Sequence, residues 1–190
     1  MGIILASSSP YRQALLSRLG VSFQTDSPAI DEAPFAGESA TDLVARLSKA
    51  KAQAVLTRHP DAVVIGSDQV ACLGDAILGK PGNIPNAIAQ LSQCAGRQVT
   101  FLTGLCVADR QRERYSLSRT EVRFRRLTPE QIRRYVEREL PLDCAGSFKC
   151  EDLGIALFEA ITSDDPTSLI GLPLIQLTSQ LMEFGLHPLD

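Results

Sequence analysis

The sequence GIILASSSPYR, residues 2–12, decides how the chain begins to fold. Its first part, GIILA (2–6), is short, apolar and contains β-branched residues, which predicts a buried strand. Pro10 then stands where the first helical residue belongs, with Ser9 as its N-cap, and Gly20 marks the end of that helix. A strand that leads through one short turn into a helix indicates an α/β fold.

The rest of the chain continues this alternation. Apolar runs predict further strands at 21–25, 62–66, 98–109, 113–127 and 154–161. Caps and apolar stripes predict helices at 39–59, 83–95, 128–141 and 171–185, and the first three begin at the N-caps Ser39, Asn83 and Thr128, the last with a capping box to Gln131. Two long strands follow each other directly around residue 110, joined by a polar turn, which predicts an antiparallel portion. We therefore expect an α/β fold with a mixed, partly antiparallel sheet flanked by helices. The chain, 1–190, is expected to form a single domain in which two lobes share one sheet around a central cleft.

Composition limits the classes of function. The net charge of −3 is slightly negative, so bulk charge does not attract a nucleic acid polymer, and a bound polyanion must be small and held by a local basic cluster. No apolar run is long enough for a membrane span, and no signal peptide is recognisable. Five cysteines without a CxxC pair argue against a disulfide framework and a structural zinc site. These features predict a reduced, cytoplasmic protein.

The serine-rich turn is the first candidate for chemistry. A strand that ends at a helix N-terminus presents free backbone N–H groups and the positive end of the helix dipole to an anion. Ser7 and Ser9 add hydroxyl donors, and Arg12 adds a forked, permanent charge suited to phosphate. Alternatively, Ser9 only caps the helix and Arg12 is a solvated side chain. The local sequence leaves both interpretations open.

A second candidate is GSDQV (66–70), which follows the predicted strand 62–66. An aspartate at the carboxyl end of a buried strand lies where open α/β sheets bind their ligands. Asp68 in that place activates water or holds a divalent cation. The alternative is an Asx-turn, in which Asp68 bonds its own backbone.

Other acidic and basic residues carry little information one at a time. IDEAP (30–34) contains two acids that either ligate a metal or are exposed, and the default expectation for Lys51 and Lys80, each taken alone, is a solvated surface position. The turn CAGSFKCED (144–152) has no histidine nearby to activate its cysteines, which argues against thiol nucleophiles. Both a P-loop and a GxGxxG motif are missing from the sequence. Taken together, several basic residues and carboxylates near strand ends are suited to a metal-assisted attack of water on a phosphate chain.

Seven short motifs, taken in order, resemble the Maf family of nucleoside triphosphate pyrophosphatases. They are LASSSPYR, IDE, RLSKAKA, GSDQV, LGKP, GSF and IGLPL, and they run from residue 3 to about residue 181. The resemblance implies an ITPase-type α/β fold with a cleft between two lobes, and a homodimer. It also implies hydrolysis between the α and β phosphates of a nucleotide, with a divalent cation such as Mg²⁺ or Mn²⁺.

The same resemblance assigns roles to individual residues. It implies that Asp68 is the general base and that Glu32 and Asp68 hold the metal. It also implies a phosphate-binding set consisting of Ser7, Ser9, Arg12, Lys51 and Lys80.

Three further positions, Tyr11, Gln69 and Glu151, resemble the branch of the family that takes 7-methyl-GTP. An aromatic face attracts the cationic ring of a 7-methylguanine, by about 1–2 kcal/mol when desolvated. The carboxylate of Glu151 accepts hydrogen bonds from the guanine N1–H and N2–H₂ edge, and Gln69 reads another edge or positions the base. This branch is expected to carry tryptophan at position 11, and tyrosine there predicts weaker selectivity.

Two alternatives stay open beside 7-methyl-GTP hydrolysis. One keeps the reaction and changes the substrate to dTTP, UTP or a broader set. The other is a regulator of cell division that binds nucleotides without hydrolysing them. The presence of Asp68 together with all the basic positions argues against the second.

Overall fold

The computed structural model describes residues 2–190. The strands are β1 Ile3–Leu5, β2 Phe23–Thr25, β3 Val63–Leu73, β4 Ala76–Leu78, β5 Gln98–Ala108, β6 Glu113–Phe124 and β7 Phe158–Ser163. The helices are α1 Pro10–Ser17, α2 Ala40–Leu56, α3 Ile84–Cys94, α4 Pro129–Glu139 and α5 Leu174–Glu183. Short 3₁₀ turns cover Ala145–Ser147, Leu153–Leu157 and Ser168–Ile170. Across residues 2–190, every helix is too short or too polar to cross a membrane.

The strands form one mixed sheet in the order β2-β1-β3-β5-β6-β7, with β4 paired to β3. Strand β1 pairs in parallel with both β2 and β3, so that Leu5 faces Thr25 on one side and Ile65 on the other. The pairs β3–β4 and β6–β7 are antiparallel. The expectation of a mixed, partly antiparallel sheet is confirmed.

Contacts within the chain define two compact units. The first contains the chain up to Gln69, Thr103–Ser118 and Asp165–Asp190, and the second contains Val70–Leu102 and Arg119–Asp164. Each unit is described by itself. The predicted central cleft and the single 1–190 domain stay predictions.

In the first unit, alternate residues of the parallel strands face opposite layers of helices. Ile3 and Leu5 of β1 belong to a core cluster with leucines of α1 and α5. Ile4, between them, belongs to a second cluster with Ala52 and Val55 of α2. This period of two is what a strand buried on both faces requires.

The second unit contains a cluster of aromatic rings. The Phe148 ring meets those of Phe101, Phe124 and Phe158 edge to face, with ring centroids 4.8–5.8 Å apart. Helix α4 begins with a capping box, in which Thr128 accepts from the Gln131 backbone N–H and Gln131 accepts in return. The sequence prediction of this cap is confirmed.

Two predicted strands differ from the observed ones by more than three residues at one end. Strand β3 does not end before Asp68 but continues to Leu73, so that Asp68 lies inside the strand rather than beyond its carboxyl end. An Asx-turn at this residue is therefore wrong. Strand β7 begins at Phe158 and not at Gly154, because residues 153–157 form a 3₁₀ turn in which the Gly154 backbone packs against Lys149. Strand β4 was not predicted.

Candidate active site

Helix α2 and strand β3 bring a buried lysine to a buried aspartate. The Lys51 Nζ lies 2.6 Å from the Asp68 Oδ1, and both side chains are nearly inaccessible to solvent. Two buried opposite charges this close attract each other strongly, because little water screens them. The helix motif RLSKAKA and the strand motif GSDQV therefore meet at one ion pair.

Two glycines allow α2 to approach the sheet this closely. A Cβ at Gly66 would collide with the Ser48 carbonyl oxygen and the Ala52 backbone nitrogen, and a Cβ at Gly104 would collide with the Ser48 hydroxyl and lie 2.6 Å from Val44 Cγ1. The Ser48 hydroxyl accepts a hydrogen bond of 3.1 Å from the Asp68 backbone N–H. Small residues on the sheet thus fix the helix that supplies Lys51.

The loop between β2 and α2 brings a second carboxylate to the same ammonium. The Glu32 Oε1 lies 2.8 Å from the Lys51 Nζ, and the Glu32 side chain is 51% exposed. Lys51 therefore bridges a buried carboxylate and a solvent-facing one. Of the predicted residues, Glu32, Lys51 and Asp68 come together as one cluster.

The serine turn has the predicted cap and an additional anchor. The Ser9 hydroxyl accepts from the Arg12 N–H at 3.4 Å, and the Ser9 N–H donates to the Ser7 hydroxyl at 3.1 Å. The Arg12 Nε donates to the Gly171 carbonyl at 2.8 Å. Ser9 is confirmed as the N-cap, and phosphate binding by the turn stays a prediction.

Arg12 is electrostatically coupled to the acidic cluster. Burial lowers the pKa of the Arg12 guanidinium from its ordinary value, and the charges of Asp68 and Glu32 oppose that shift. The guanidinium therefore acts on the same carboxylates that Lys51 contacts. The serine turn and the Lys51 ion pairs both belong to the first unit.

The motif IGLPL (170–174) contributes a backbone group to this region through Gly171. Gly171 adopts a φ of +118°, which favours glycine, and its carbonyl lies 3.0 Å from the Ser67 hydroxyl as well as 2.8 Å from Arg12. Ser67 also donates to the Gly104 carbonyl at 2.7 Å. No local signal for these contacts exists, because they join residues more than 30 positions apart.

A buried carboxylate holds the segment that precedes Gly171. The Asp165 carboxylate accepts from the Ile175 N–H at 2.7 Å, the Gln176 N–H at 3.2 Å and the Thr167 hydroxyl at 2.7 Å. It therefore satisfies free N–H groups at the start of α5, as a capping side chain does. The sequence signal for it was the acidic residue shortly before a predicted helix.

Gln69 uses its amide nitrogen inside the protein. The Nε2 lies 2.9 Å from the Thr103 hydroxyl, 2.7 Å from the Ser168 carbonyl and 3.1 Å from the Leu169 carbonyl. An amide nitrogen has only two hydrogens, so these acceptors use its donor capacity. Tyr11, the other specificity candidate in this unit, lies half-buried in the first turn of α1.

The remaining predicted residues lie in the second unit. Lys80 is exposed directly after β4, and Glu151 is exposed next to Cys150, whose Sγ lies 3.3 Å from the Glu151 Oε2. Burial, followed by the charge of a neighbouring acid, raises the pKa of Cys144 and Cys150 to about 12. Both thiols are thus protonated near neutral pH. Whether Lys80 and Glu151 converge with the first-unit cluster stays a prediction.

The donor set at Lys51 fits a divalent cation that arrives with a phosphate. Over residues 2–190, nowhere do three or more acids, histidines or cysteines group closely enough to hold a metal by themselves. Asp68 and Glu32 are two carboxylates that both contact the Lys51 ammonium. Mg²⁺ is commonly bound in this way, by one or two carboxylates together with substrate phosphates and water.

Comparison with known proteins identifies the family. The family model described as Maf-like protein matches residues 2–184. A 7-methyl-GTP pyrophosphatase of Xanthomonas oryzae pv. oryzae is 54% identical over 185 residues, which are 97% of each chain. Proteins of the same name from Pseudomonas aeruginosa and Saccharophagus degradans are 53% and 49% identical, and the matches cover 97% and 98% of this chain and 97% and 96% of theirs.

Among solved structures, a HAM1 protein from Coxiella burnetii has a similar fold. The TM-score is 0.54 at 13% identity, and the match covers 96% of this chain and 99% of that one. At this identity the likeness concerns the fold alone.

Proposed function

Because the chain belongs to the Maf family, we propose that it hydrolyses the α–β phosphate bond of 7-methyl-GTP and yields 7-methyl-GMP and pyrophosphate. It is a hydrolase of nucleotide phosphoanhydride bonds. The single observation that supports the substrate best is that relatives about half identical over nearly the whole chain are 7-methyl-GTP pyrophosphatases by name. The Lys51-bridged carboxylates supply groups suited to the reaction.

In this proposal Asp68 takes the proton from the attacking water. Its carboxylate is buried and accepts a hydrogen bond from the Lys51 ammonium. The Asp68 backbone N–H donates to the Ser48 hydroxyl, which holds this part of the strand in place. A positioned carboxylate of this kind is a suitable general base. Lys51 and Arg12 stabilise the negative charge that develops on the leaving pyrophosphate.

We assign the metal to Asp68 and Glu32, with Mg²⁺ or Mn²⁺ as the ion. When bound, such an ion neutralises charge on the phosphate chain. The chain's own contribution is to hold the two carboxylates in place, which Lys51 does for both. Ser7, Ser9 and Lys80 complete the proposed phosphate contacts.

The proposed base recognition uses Tyr11, Gln69 and Glu151. Tyr11 stacks on the cationic 7-methylguanine, and Glu151 accepts from its N1–H and N2–H₂ edge. Because the Gln69 Nε2 is used by Thr103 and Ser168, the group of Gln69 that is left for the base is its carbonyl oxygen.

A substrate panel tests the proposal. Pyrophosphate release is measured with 7-methyl-GTP, GTP, dTTP and UTP, each with Mg²⁺ or Mn²⁺ and with a chelator. We expect the highest kcat/KM with 7-methyl-GTP and no release with the chelator. Faster release from dTTP or UTP would move the substrate to the other branch of the family. Nucleotide binding without release from any of the four would favour a non-catalytic regulator.

We also propose that the protein works as a homodimer in the cytoplasm. Sedimentation of the purified chain at micromolar concentration tests the dimer, and fractionation of cells tests the location. A monomer at that concentration, or recovery outside the cytoplasmic fraction, would contradict these two points.

A further inference from the structure

Arg46 of α2 donates hydrogen bonds to two residues of the segment that contains Glu32 and leads into α2. Its guanidinium lies 2.6 Å and 2.8 Å from the two carboxylate oxygens of Glu38, and its Nη2 donates to the Ala33 carbonyl at 3.0 Å. The guanidinium also lies 4.0 Å from the centre of the Phe35 ring. A forked guanidinium is suited to this many contacts, because its donors lie in one rigid plane.

The opposite end of the loop is fastened to the same helix region. Arg58, just beyond the end of α2, donates to the Asp26 carboxylate at 3.0 Å and to the Ser27 carbonyl at 2.7 Å. Between these anchors the loop has neither helix nor strand, and Glu32 contacts Lys51 at 2.8 Å. An irregular segment with a half-exposed acid costs conformational entropy to hold in one place, and two anchors reduce its freedom.

We propose that Arg46 is a positioning residue for the hydrolysis, which holds the Glu32 carboxylate at the Lys51 ammonium by fastening Ala33 and Glu38 to α2. The inference rests on the proposed function, since it gives Glu32 a role in that reaction. Ala33 is the next residue after Glu32, so a displacement of Ala33 moves Glu32 directly. Arg46 itself acts through Glu32.

A double-mutant cycle separates this role from a general structural one. Arg46→Gln removes the fork, and we expect kcat/KM for pyrophosphate release to fall about 10–100-fold, as is usual for residues that orient an active-site ligand. Glu32→Gln is expected to lose at least as much. The double variant should lose no more than Glu32→Gln alone, because Arg46 then has nothing left to position. Arg46→Lys should recover only part of the rate, since lysine cannot make the forked contact.

Amide hydrogen exchange provides a readout that needs no activity. In Arg46→Gln, we expect faster exchange in peptides covering residues 30–38 and unchanged exchange in the buried half of α2. Arg134→Gln is the matched control, because it removes a surface arginine–glutamate pair on α4. It should leave the rate and the exchange of residues 30–38 unchanged.

The outcomes are distinguishable. If the parental enzyme releases no pyrophosphate, the proposed function fails, and the exchange experiment still tests whether Arg46 holds the loop. If the parental enzyme is active but the fold-losses of the two single variants multiply in the double variant, Arg46 is not the positioning residue. The same conclusion follows if Arg46→Gln leaves the hydrogen exchange of residues 30–38 unchanged. Full activity of Glu32→Gln would overturn the inference as well.

Discussion

The Lys51 ammonium lies 2.6 Å from the Asp68 carboxylate, although 17 positions separate the two residues along the chain. Both are buried, and Lys51 reaches Glu32 with the same nitrogen. Removing one partner of such a pair leaves an uncompensated buried charge. Substitutions at this pair must therefore be tested for folding before any change in activity is interpreted.

Asp68→Asn tests the general base. Asparagine keeps the shape and a hydrogen-bond acceptor for Lys51 but cannot accept a proton from water. We expect pyrophosphate release to fall about 10²–10⁴-fold, while calorimetry still detects nucleotide binding. Asp61→Asn, an exposed aspartate before β3, is the control. Parental turnover in a folded Asp68→Asn would show that another group takes the proton.

Glu151→Gln tests recognition of the methylated base. Glutamine keeps an acceptor but loses the charge that favours a cationic ring. We expect the ratio of kcat/KM for 7-methyl-GTP over GTP to decrease about tenfold, with a smaller effect on kcat for GTP. The comparison requires both substrates on the same preparation. Equal losses on the two nucleotides would reject the assignment to the base edge.

Gly66→Ala tests the close approach of α2 to β3. The new methyl group would collide with backbone atoms of Ser48 and Ala52, which cannot rotate away. We expect the free energy of unfolding in urea to decrease by about 1–3 kcal/mol. Gly79→Ala is the matched control, since its Cβ would meet no atom within 4 Å, and it should change stability by less than about 0.5 kcal/mol. Equal unfolding midpoints for the two variants would contradict the packing argument.

The pair Arg46–Glu38 predicts a contribution to stability that depends on pH. The hydrogen bonds from Arg46 lower the pKa of Glu38 from 4.5 to about 2. Because the folded-state pKa is the lower one, this contribution is present above pH 4.5 and is lost as the pH falls towards 2. Unfolding should therefore depend less steeply on pH between 4.5 and 2 in Glu38→Gln than in the parent. Asp26, whose pKa Arg58 lowers in the same direction, is retained in both proteins and serves as an internal reference. Parallel curves for parent and variant would refute the assignment.

The sequence predicts best those features that neighbouring residues determine. The caps at Ser9, Ser39, Asn83 and Thr128 are all confirmed, because each depends on a side chain that accepts from a backbone N–H three residues later. The strand β1 and the mixed sheet followed from short apolar runs and from two long strands in succession.

Features set by distant contacts were predicted poorly. The sequence predicted that the strand ends at Gly66. In the structure Gly66 allows α2 to pack closely against the sheet, and β3 continues through Asp68. The resemblance to the family predicted that Lys51 binds phosphate and that Glu32 binds the metal. Their direct ion pair has no signal in the sequence. The same holds for Arg46, whose partners on the loop lie 8 and 13 positions away.

The hydrogen bond from Arg12 to Gly171 spans 159 positions, so it has a consequence for synthesis on the ribosome. The carbonyl that binds the Arg12 side chain is made 159 residues after Arg12, shortly before the leucines of α5 that pack in the core around β1. A nascent chain that ends before Gly171 lacks the carbonyl group that binds the Arg12 guanidinium. Translation that aborts early should therefore leave inert fragments in the cell rather than unregulated nucleotide-cleaving ones.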